Sequence, residues 1–490
     1  MKKTSIKRNI IYNTLYQILT LIVPFITAPY VSRVIGSTGV GVYSYTLSIQ
    51  AYFSLFAALG TVSYGTREIA RNRNNEYERS KLFWEIEILT IFTSCICLII
   101  WGIFIVLTSK YKIIYCILTM NLLNTMLDIS WFYSGLEQFK YTIIQNSIFK
   151  ILGVILLFVL VKTSNDLLLY IAIMSLTTLL GTASMWIYLP KFLKKVKVKE
   201  LKVYRHFKET LVYFVPAIAT SIYTVLDKTL IGVITKDANE NGYYEQATKI
   251  INMAQAVTIT ALNTVLGSRI SYLFVENKKE EILKKIDTSI NYVLFMGIGI
   301  VFGLISVADK FVPLFFGTGY DEVVTLIKIL SPLVIIIGIS NCLGAQYYNP
   351  AGLRSKSAKF LIVGACVNLV LNLLFIPKLG SIGAAIATII AELTISVLYI
   401  KNCDGYFTVK QLIRFSWKKI IAGVIMFIGI SYIRYIHVND FCMIISQIFI
   451  GIVIYLTVLI MLKDSFLFEL YQKQIKVKIK KFLARKLRKE

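Results

Sequence analysis

Charge is scarce in this chain. Asp, Glu, Lys and Arg make up 16% of its 490 residues, well below the roughly 25% of ordinary soluble domains. Acid is scarcer still: 27 Asp and Glu stand against 53 Lys and Arg, for a formal net charge of +26. There are only two histidines, His206 and His437, and both fall in connecting segments. The seven cysteines, Cys95, Cys97, Cys116, Cys342, Cys366, Cys403 and Cys442, lie in or beside apolar runs without metal-ligand spacing. Metal and thiol chemistry are therefore not expected. No Gly-Lys-Ser or Gly-Lys-Thr run occurs, so there is no P-loop to hydrolyse ATP. Nor does a large loop supply the carboxylates or histidines that a membrane glycosyltransferase or polymerase needs. No catalytic residue, cofactor or metal is expected.

What the chain has is grease. Hydrophobic residues make up 56% and mean hydropathy is +0.68. The apolar residues fall in about fourteen stretches near the ~20 residues that cross a bilayer. The pattern predicts helices over 11–31, 42–62, 83–107, 115–133, 141–161 and 167–189, then 211–234, 250–273, 292–316, 323–343, 360–376 and 382–399, and finally 420–435 and 443–461. This is an all-α polytopic membrane protein. The longest internal polar stretch separates residues 1–190, a lobe of six helices, from 211–402, a second such lobe, through a basic linker over 191–210. Two further transmembrane helices (403–462) and a basic tail (463–490) follow. The lobes show weak self-similarity. Pro24, Arg33, the turn glycines Gly36, Gly39 and Gly41, and Tyr43 to Tyr45 are echoed by Pro216, Asp227, Lys228 and Gly242 to Tyr244. Paired lobes around a central site are what alternating access requires, and no ring or filter of a channel is visible.

Lys and Arg set the orientation, because cytoplasmic loops retain positive charge. They cluster before the first helix (Lys2, Lys3, Lys7, Arg8), after the second (Arg67 to Lys81) and after the sixth (Lys191 to Lys208), and they recur in the later even-numbered loops. The opposite loops are poor in cations. Both termini are thus expected on the cytoplasmic side. The net charge reads as topology rather than as nucleic-acid binding. The first apolar run lacks a small-residue cleavage site and is expected to stay in the mature protein. The segment from Lys473 to Lys489 suits either an amphipathic helix on an anionic leaflet or a solvated basic tail.

Ionisable groups at membrane depth cost roughly 2.5–3.5 kcal/mol on insertion scales and are functional candidates by default. They are Asp128, Lys150, Asp227, Lys228, Lys328 and Glu392, with Arg33 and Arg269 near helix ends. Cations outnumber anions. A cation-lined passage suits an anionic cargo such as a phosphate or pyrophosphate; snorkelling or internal pairing is the structural alternative for each residue. Arg33, Lys150, Lys228 and Arg269 are the expected substrate contacts, with Arg67 at the cytoplasmic mouth. Asp128, Asp227 and Glu392 are the expected ion-coupling groups. The Tyr and Trp residues near helix ends mostly fit an interfacial belt.

Several blocks resemble the bacterial polysaccharide flippases, the O-antigen and capsule repeat-unit translocases. The first is Ala28 to Gly36 followed by Gly39 to Ser44. Similar blocks are Tyr64 to Ala70, Asp128 to Glu137, Asp227 to Gly232, and Asn368, Asn372, Ile376-Pro377, Gly380 and Gly383 to Thr388. The likeness runs through most of the chain to Ile400. It implies the superfamily that also holds multidrug exporters and lipid II flippases, with a V-shaped fold of two six-helix bundles. In the lipid II relatives an extra carboxyl-terminal helix pair is associated with a groove for the polyprenyl tail, and the last two helices are expected to do likewise.

The physics agrees. Each sugar hydroxyl carried bare through hydrocarbon costs ~4–8 kcal/mol on a cyclohexane scale, so spontaneous flipping is negligible. The expected function is a flippase in the bacterial cytoplasmic membrane that moves undecaprenyl-pyrophosphate-linked repeat units to the outer leaflet, for capsule, exopolysaccharide or O-antigen synthesis. Membrane lipids are its surroundings, and a polysaccharide polymerase and glycosyltransferases are its expected partners. An ion-coupled multidrug exporter is the alternative; it predicts an anionic cavity, against the basic excess.

Overall fold

The computed structural model describes residues 6–276, 278–433 and 439–468. Lys2, Lys3, His437 and the basic segment from Lys473 to Lys489 lie outside them. The regular structure in this range is helical, as expected: α1 (Ile6–Ala58), α2 (Thr61–Arg71), α3 (Glu76–Leu107), α4 (Lys112–Met126), α5 (Ser130–Gly135), α6 (Phe139–Leu160), α7 (Leu167–Ala183), α8 (Arg205–Thr235), α9 (Ala238–Val275), α10 (Lys279–Phe316), α11 (Asp321–Leu330), α12 (Leu333–Leu343), α13 (Arg354–Lys401), α14 (Val409–Ile433) and α15 (Asp440–Met461). Among the described residues, nine helices, counting those that run through a break as one, are long and apolar enough to cross a membrane. The protein is a multi-pass membrane protein.

The joints differ from the expected ones. The first two apolar stretches merge into α1, whose 53 residues would span about 80 Å if straight, far more than a ~30 Å hydrocarbon core. The helix breaks at Gly36, whose φ of 76° and ψ of 170° glycine adopts without the clash a Cβ would bring. Gly380 interrupts α13 in the same way. Two other expected crossings are split instead. The fourth parts into α4 and α5 around Leu127–Ile129, and the tenth into α11 and α12 at Ser331–Pro332.

The chain forms two compact units: residues 1–245 with 376–381, and residues 246–375 with 382–490. In the first, Phe83, Trp101, Tyr115, Trp131 and Phe132 are all but fully buried. Lipid is as apolar as these side chains, so close van der Waals packing, not the hydrophobic effect, must hold such helices together. Small residues allow it: a Cβ on Gly153 of α6 would stand 2.9 Å from Thr177 Oγ1 of α7. The segment that follows α7 is strapped to the start of α3. Arg79 donates to the Phe192 carbonyl (2.6 Å), and Ser80 and Glu85 accept the amides of Lys194 (2.9 Å) and Lys202 (2.6 Å).

In the second unit α14 and α15 pack on each other and on α10. Gly423, Gly429 and Gly451 meet Phe302, Ile454 and Ile430 at distances that leave no room for a Cβ. Lys419 is fully buried there; its ammonium reaches Asn291 Oδ1 (2.7 Å), the Phe415 carbonyl (2.8 Å) and Asp464 Oδ2 (2.9 Å). The ion pair ties α14 to the segment after α15, and the bond to Asn291 ties both to α10.

Candidate functional site

The first unit holds a polar cavity of about 430 Å³ among α1, α4, α6 and α7. Helical spacing builds its walls. Asn146, Lys150 and Gly153 share one face of α6, and Asn124 and Asp128 stand four residues apart on α4 and just past its end. All five line the cavity, with Tyr16 of α1 and Thr177 of α7 opposite. Tyr16 is hydrogen-bonded to Asn146.

Asp128 is where it is because α4 stops two residues earlier, at Met126. Its Oδ1 accepts the Ser130 amide (2.9 Å) and so starts α5, while Trp186 Nε1 donates to the Leu127 carbonyl (2.9 Å) that the break sets free. Lys150 is half-buried in the middle of α6. Its ammonium makes no ion pair or hydrogen bond among the described residues, even to Asp128 on the same wall. A cation desolvated without a partner is unfavourable, so the cavity is set up for an anion or for water. A second, smaller cavity of about 270 Å³ shares Asn124 and Asp128 with the first and adds Ser54, Thr61, Thr90 and Thr125.

A different polar assembly occupies the end of this unit that carries the Gly36 turn. There α1 crosses the start of α9 backbone on backbone. A Cβ on Gly41 would sit 1.6 Å from the Ala238 carbonyl oxygen, and one on Gly242 2.2 Å from that of Ser37. Around the crossing, Asn239 Oδ1 accepts from Ser37 and Thr38 (2.7 and 2.8 Å), and Glu245 accepts from Ser44 (2.9 Å). Lys228 pairs with Glu245 at 2.6 Å, and the Tyr244 hydroxyl donates to Asp227 at 2.5 Å. The two stretches whose likeness suggested a repeat thus pack against each other.

At the opposite end, beside the segment after α7, Glu85 is buried under Arg205 (2.5 Å) and His206 (2.8 Å), and His206 Nδ1 meets the Tyr64 hydroxyl at 2.6 Å. His206 precedes the apolar part of α8. Burial pushes its pKa below the usual histidine value, against the pull of Glu85. The neutral ring then donates from Nε2 to Glu85 and accepts the Tyr64 proton at Nδ1.

The structure brings two of the predicted residues, Lys150 and Asp128, to one cavity. Lys228 and Asp227 are neighbours at the Gly36 end, each with a partner. Arg33 is exposed near that end, one turn ahead of Gly36. Arg67 is exposed on α2 and donates to the Tyr213 hydroxyl. Glu392 is buried in α13 of the second unit, and the side chain of Arg269 lies outside those described. Lys328 pairs with Asp309 at 2.8 Å. Sequence reasoning missed Asn124 and Asn146, which carry no charge, and Glu87, fully buried in α3 with neither carboxylate oxygen hydrogen-bonded among the described residues. The signal for Glu87 was present: it is an acid inside an apolar run that begins at Phe83.

Comparison with known proteins agrees with this architecture. A protein provisionally named O-antigen transporter from Escherichia coli (strain K12) is 24% identical over 412 residues, covering 82% of this chain and 98% of its own. One of the same name from Shigella dysenteriae is 27% identical over 407 residues, covering 81% and 99%. Among solved structures, the lipid II flippase MurJ in an inward closed conformation is similar with a TM-score of 0.68 at 19% identity, over 93% of this chain and 99% of that one. At that identity the likeness speaks for the fold. Residues 6–274 match the model of the polysaccharide biosynthesis protein family, more than half of the chain, and the chain belongs to that family.

Proposed function

We propose that this protein is a flippase that carries polyprenyl-pyrophosphate-linked oligosaccharide units across the bacterial cytoplasmic membrane, both termini cytoplasmic, with no covalent bond changed. The family, the relatives named for O-antigen transport and the fold of a lipid II flippase support this reading. The observation that carries it to particular residues is Lys150, a cation without a partner among the described residues, in a polar cavity of about 430 Å³. That volume lies in the lower part of the ~300–1,000 Å³ range of ligand sites and suits a head group rather than a whole repeat unit. Lys150 meets the pyrophosphate, and Asn124, Asn146 and Tyr16 bond the first sugar. Lys228 is neutralised by Glu245, so its part, like that of Arg33, Arg67 and Arg269, belongs to the path and not to the cavity. Asp128, Asp227 and Glu392 are the candidates for ion coupling. Glycosyltransferases supply the substrate and a polymerase consumes it.

The alternative, export of cationic drugs, requires a cavity whose charge is acidic. Here Asp128 is offset by Lys150. Reconstitution into liposomes with a fluorescent polyprenyl-pyrophosphoryl monosaccharide tests the choice. Wild type should expose the probe to a quencher on the far leaflet. Lys150→Ala removes a charge-assisted contact of about 1.5–3 kcal/mol and should slow exposure about 10- to 100-fold, while Lys150→Arg retains most of it. An unchanged rate in Lys150→Ala would remove the residue from the site. Absence of any wild-type flipping, with drug efflux instead, would remove the function.

A further inference from the structure

Glu87 is a costly side chain of the first unit. It is fully buried in α3, and both of its oxygens lack a hydrogen bond among the described residues. A bare carboxylate in such a place is strongly unfavourable, whereas a protonated one loses the charge that makes it so. It is also not alone. On the same face of α3 Thr90 lines the 270 Å³ cavity and Ser94 follows one turn later, its Oγ likewise without a partner. Asn124 Oδ1 of α4, in the wall of the same cavity, and Trp131 Nε1 of α5 are buried without a hydrogen bond among the described residues. Orphaned polar atoms from three elements beside a cavity with room for several waters are the setting in which internal water is found.

The charges around Glu87 disfavour a second bare carboxylate there. Among the described residues, Asp128 is the charged group that acts on it. From α1, no charged residue follows Arg33 up to the end of the helix, and α4 carries only Lys112 at its far end. Glu85, two residues away on α3, is turned to Arg205 and His206 of α8, and Arg205, Glu68 and Glu209 act on Tyr64, which His206 meets. Asn124 and Asp128 in turn line both cavities, which sets the space near Glu87 beside that of Lys150.

We propose that Glu87 is a proton-binding site of the transporter, holding the proton while buried one turn from Thr90 in the wall of the smaller cavity. The proton moves between carboxyl oxygens and water, and no other bond changes. Substrate and proton then act at neighbouring cavities that share Asn124 and Asp128, so that a proton gradient drives the flippase cycle. This rests on the flippase reading for its consequence but not for its detection.

Two measurements on the full-length protein test it. In infrared difference spectra on titration of the purified protein, wild type should show a carboxylic C=O band that Glu87→Gln abolishes and that sodium ions do not displace. In proteoliposomes with the fluorescent polyprenyl-pyrophosphoryl monosaccharide, one pH unit of gradient biases a one-proton cycle about tenfold. Wild type should show that dependence and Glu87→Gln, the isostere of the protonated acid, should flip at a rate indifferent to pH. Glu87→Asp, which keeps the titrating group, should retain the dependence even if it weakens the fold. A band that survives Glu87→Gln, a band bleached by sodium, or an unaltered pH response overturns the proposal. A normal infrared result with no flipping of the probe by wild type overturns the flippase reading instead.

Discussion

Gly41→Ala puts the crossing of α1 over α9 to the test. The added carbon would sit 1.6 Å from the Ala238 carbonyl oxygen, and ordinary contact begins at 3.4 Å, so the backbones must part by roughly 1.8 Å. Both sides are main chain and no rotamer relieves the clash. Overpacking of this kind costs about 1–3 kcal/mol. Parting also strains the bonds from Ser37 and Thr38 to Asn239 and from Ser44 to Glu245, each with a net value of about 1 kcal/mol. The expected loss is about 3–5 kcal/mol. Thermal unfolding in one detergent measures it, with Gly102→Ala and Gly303→Ala as controls, because a Cβ at either position meets nothing within 4 Å. The controls should unfold with wild type and Gly41→Ala well below it. A midpoint for Gly41→Ala equal to the controls would show that α1 and α9 do not meet at this point, and the account of the Lys228 pair would go with it.

Two further outcomes follow from buried charge. Because the folded pKa of His206 lies below its ordinary value of 6.5, the unfolded chain takes the proton first. The stabilising contribution is therefore complete above that pH and is lost as pH falls below it; the thermal midpoint should drop on acidification in wild type and less so in His206→Gln, and a midpoint that rises would contradict the neutral tautomer. Lys419→Ala strands Asp464, only 3% exposed, at about 3–5 kcal/mol. Lys418→Ala removes an exposed ammonium that donates to the Lys463 carbonyl and lies over the Trp417 ring and should be near neutral, and Lys419→Met combined with Asp464→Asn should recover part of the loss, as read from the same melts.

The helices were legible because crossing a bilayer demands an apolar run of nearly fixed length, and that demand is written residue by residue. The joints were not. Gly36 announces a turn, but whether the flanking stretches run on as one kinked helix depends on a single pair of dihedral angles. Pro332 marks the break between α11 and α12, whereas nothing in Leu127–Ile129 marks the one after α4; it is held by Asp128 and by the indole of Trp186 from 59 positions away. Glu87 escaped because the apolar run was taken to begin at Phe83, which made an acid four residues in look like part of a boundary. Asn124 and Asn146 escaped because an inventory of charges passes over amides, although an amide that lines a cavity binds sugar as well as any charge does.

Depth in the membrane alone also fails to sort the lysines. Lys150 and Lys228 are both cations inside apolar helices, and both are natural contacts for a pyrophosphate. Their surroundings separate them. Lys228 lies next to an acid that the α8–α9 turn folds back onto it, and Ser44 of α1 holds that acid from the other side, so the pair behaves as a clasp between α8, α9 and α1. A phosphate could take Lys228 only by displacing Glu245, and the displaced carboxylate would then face the incoming anion. Lys150 has no such competitor: its nearest acid in the same cavity is engaged in starting α5. An anion arriving there gains a countercharge without breaking a bond. That difference, and not the number of cations, makes the cavity of the first unit the place to look for the head group.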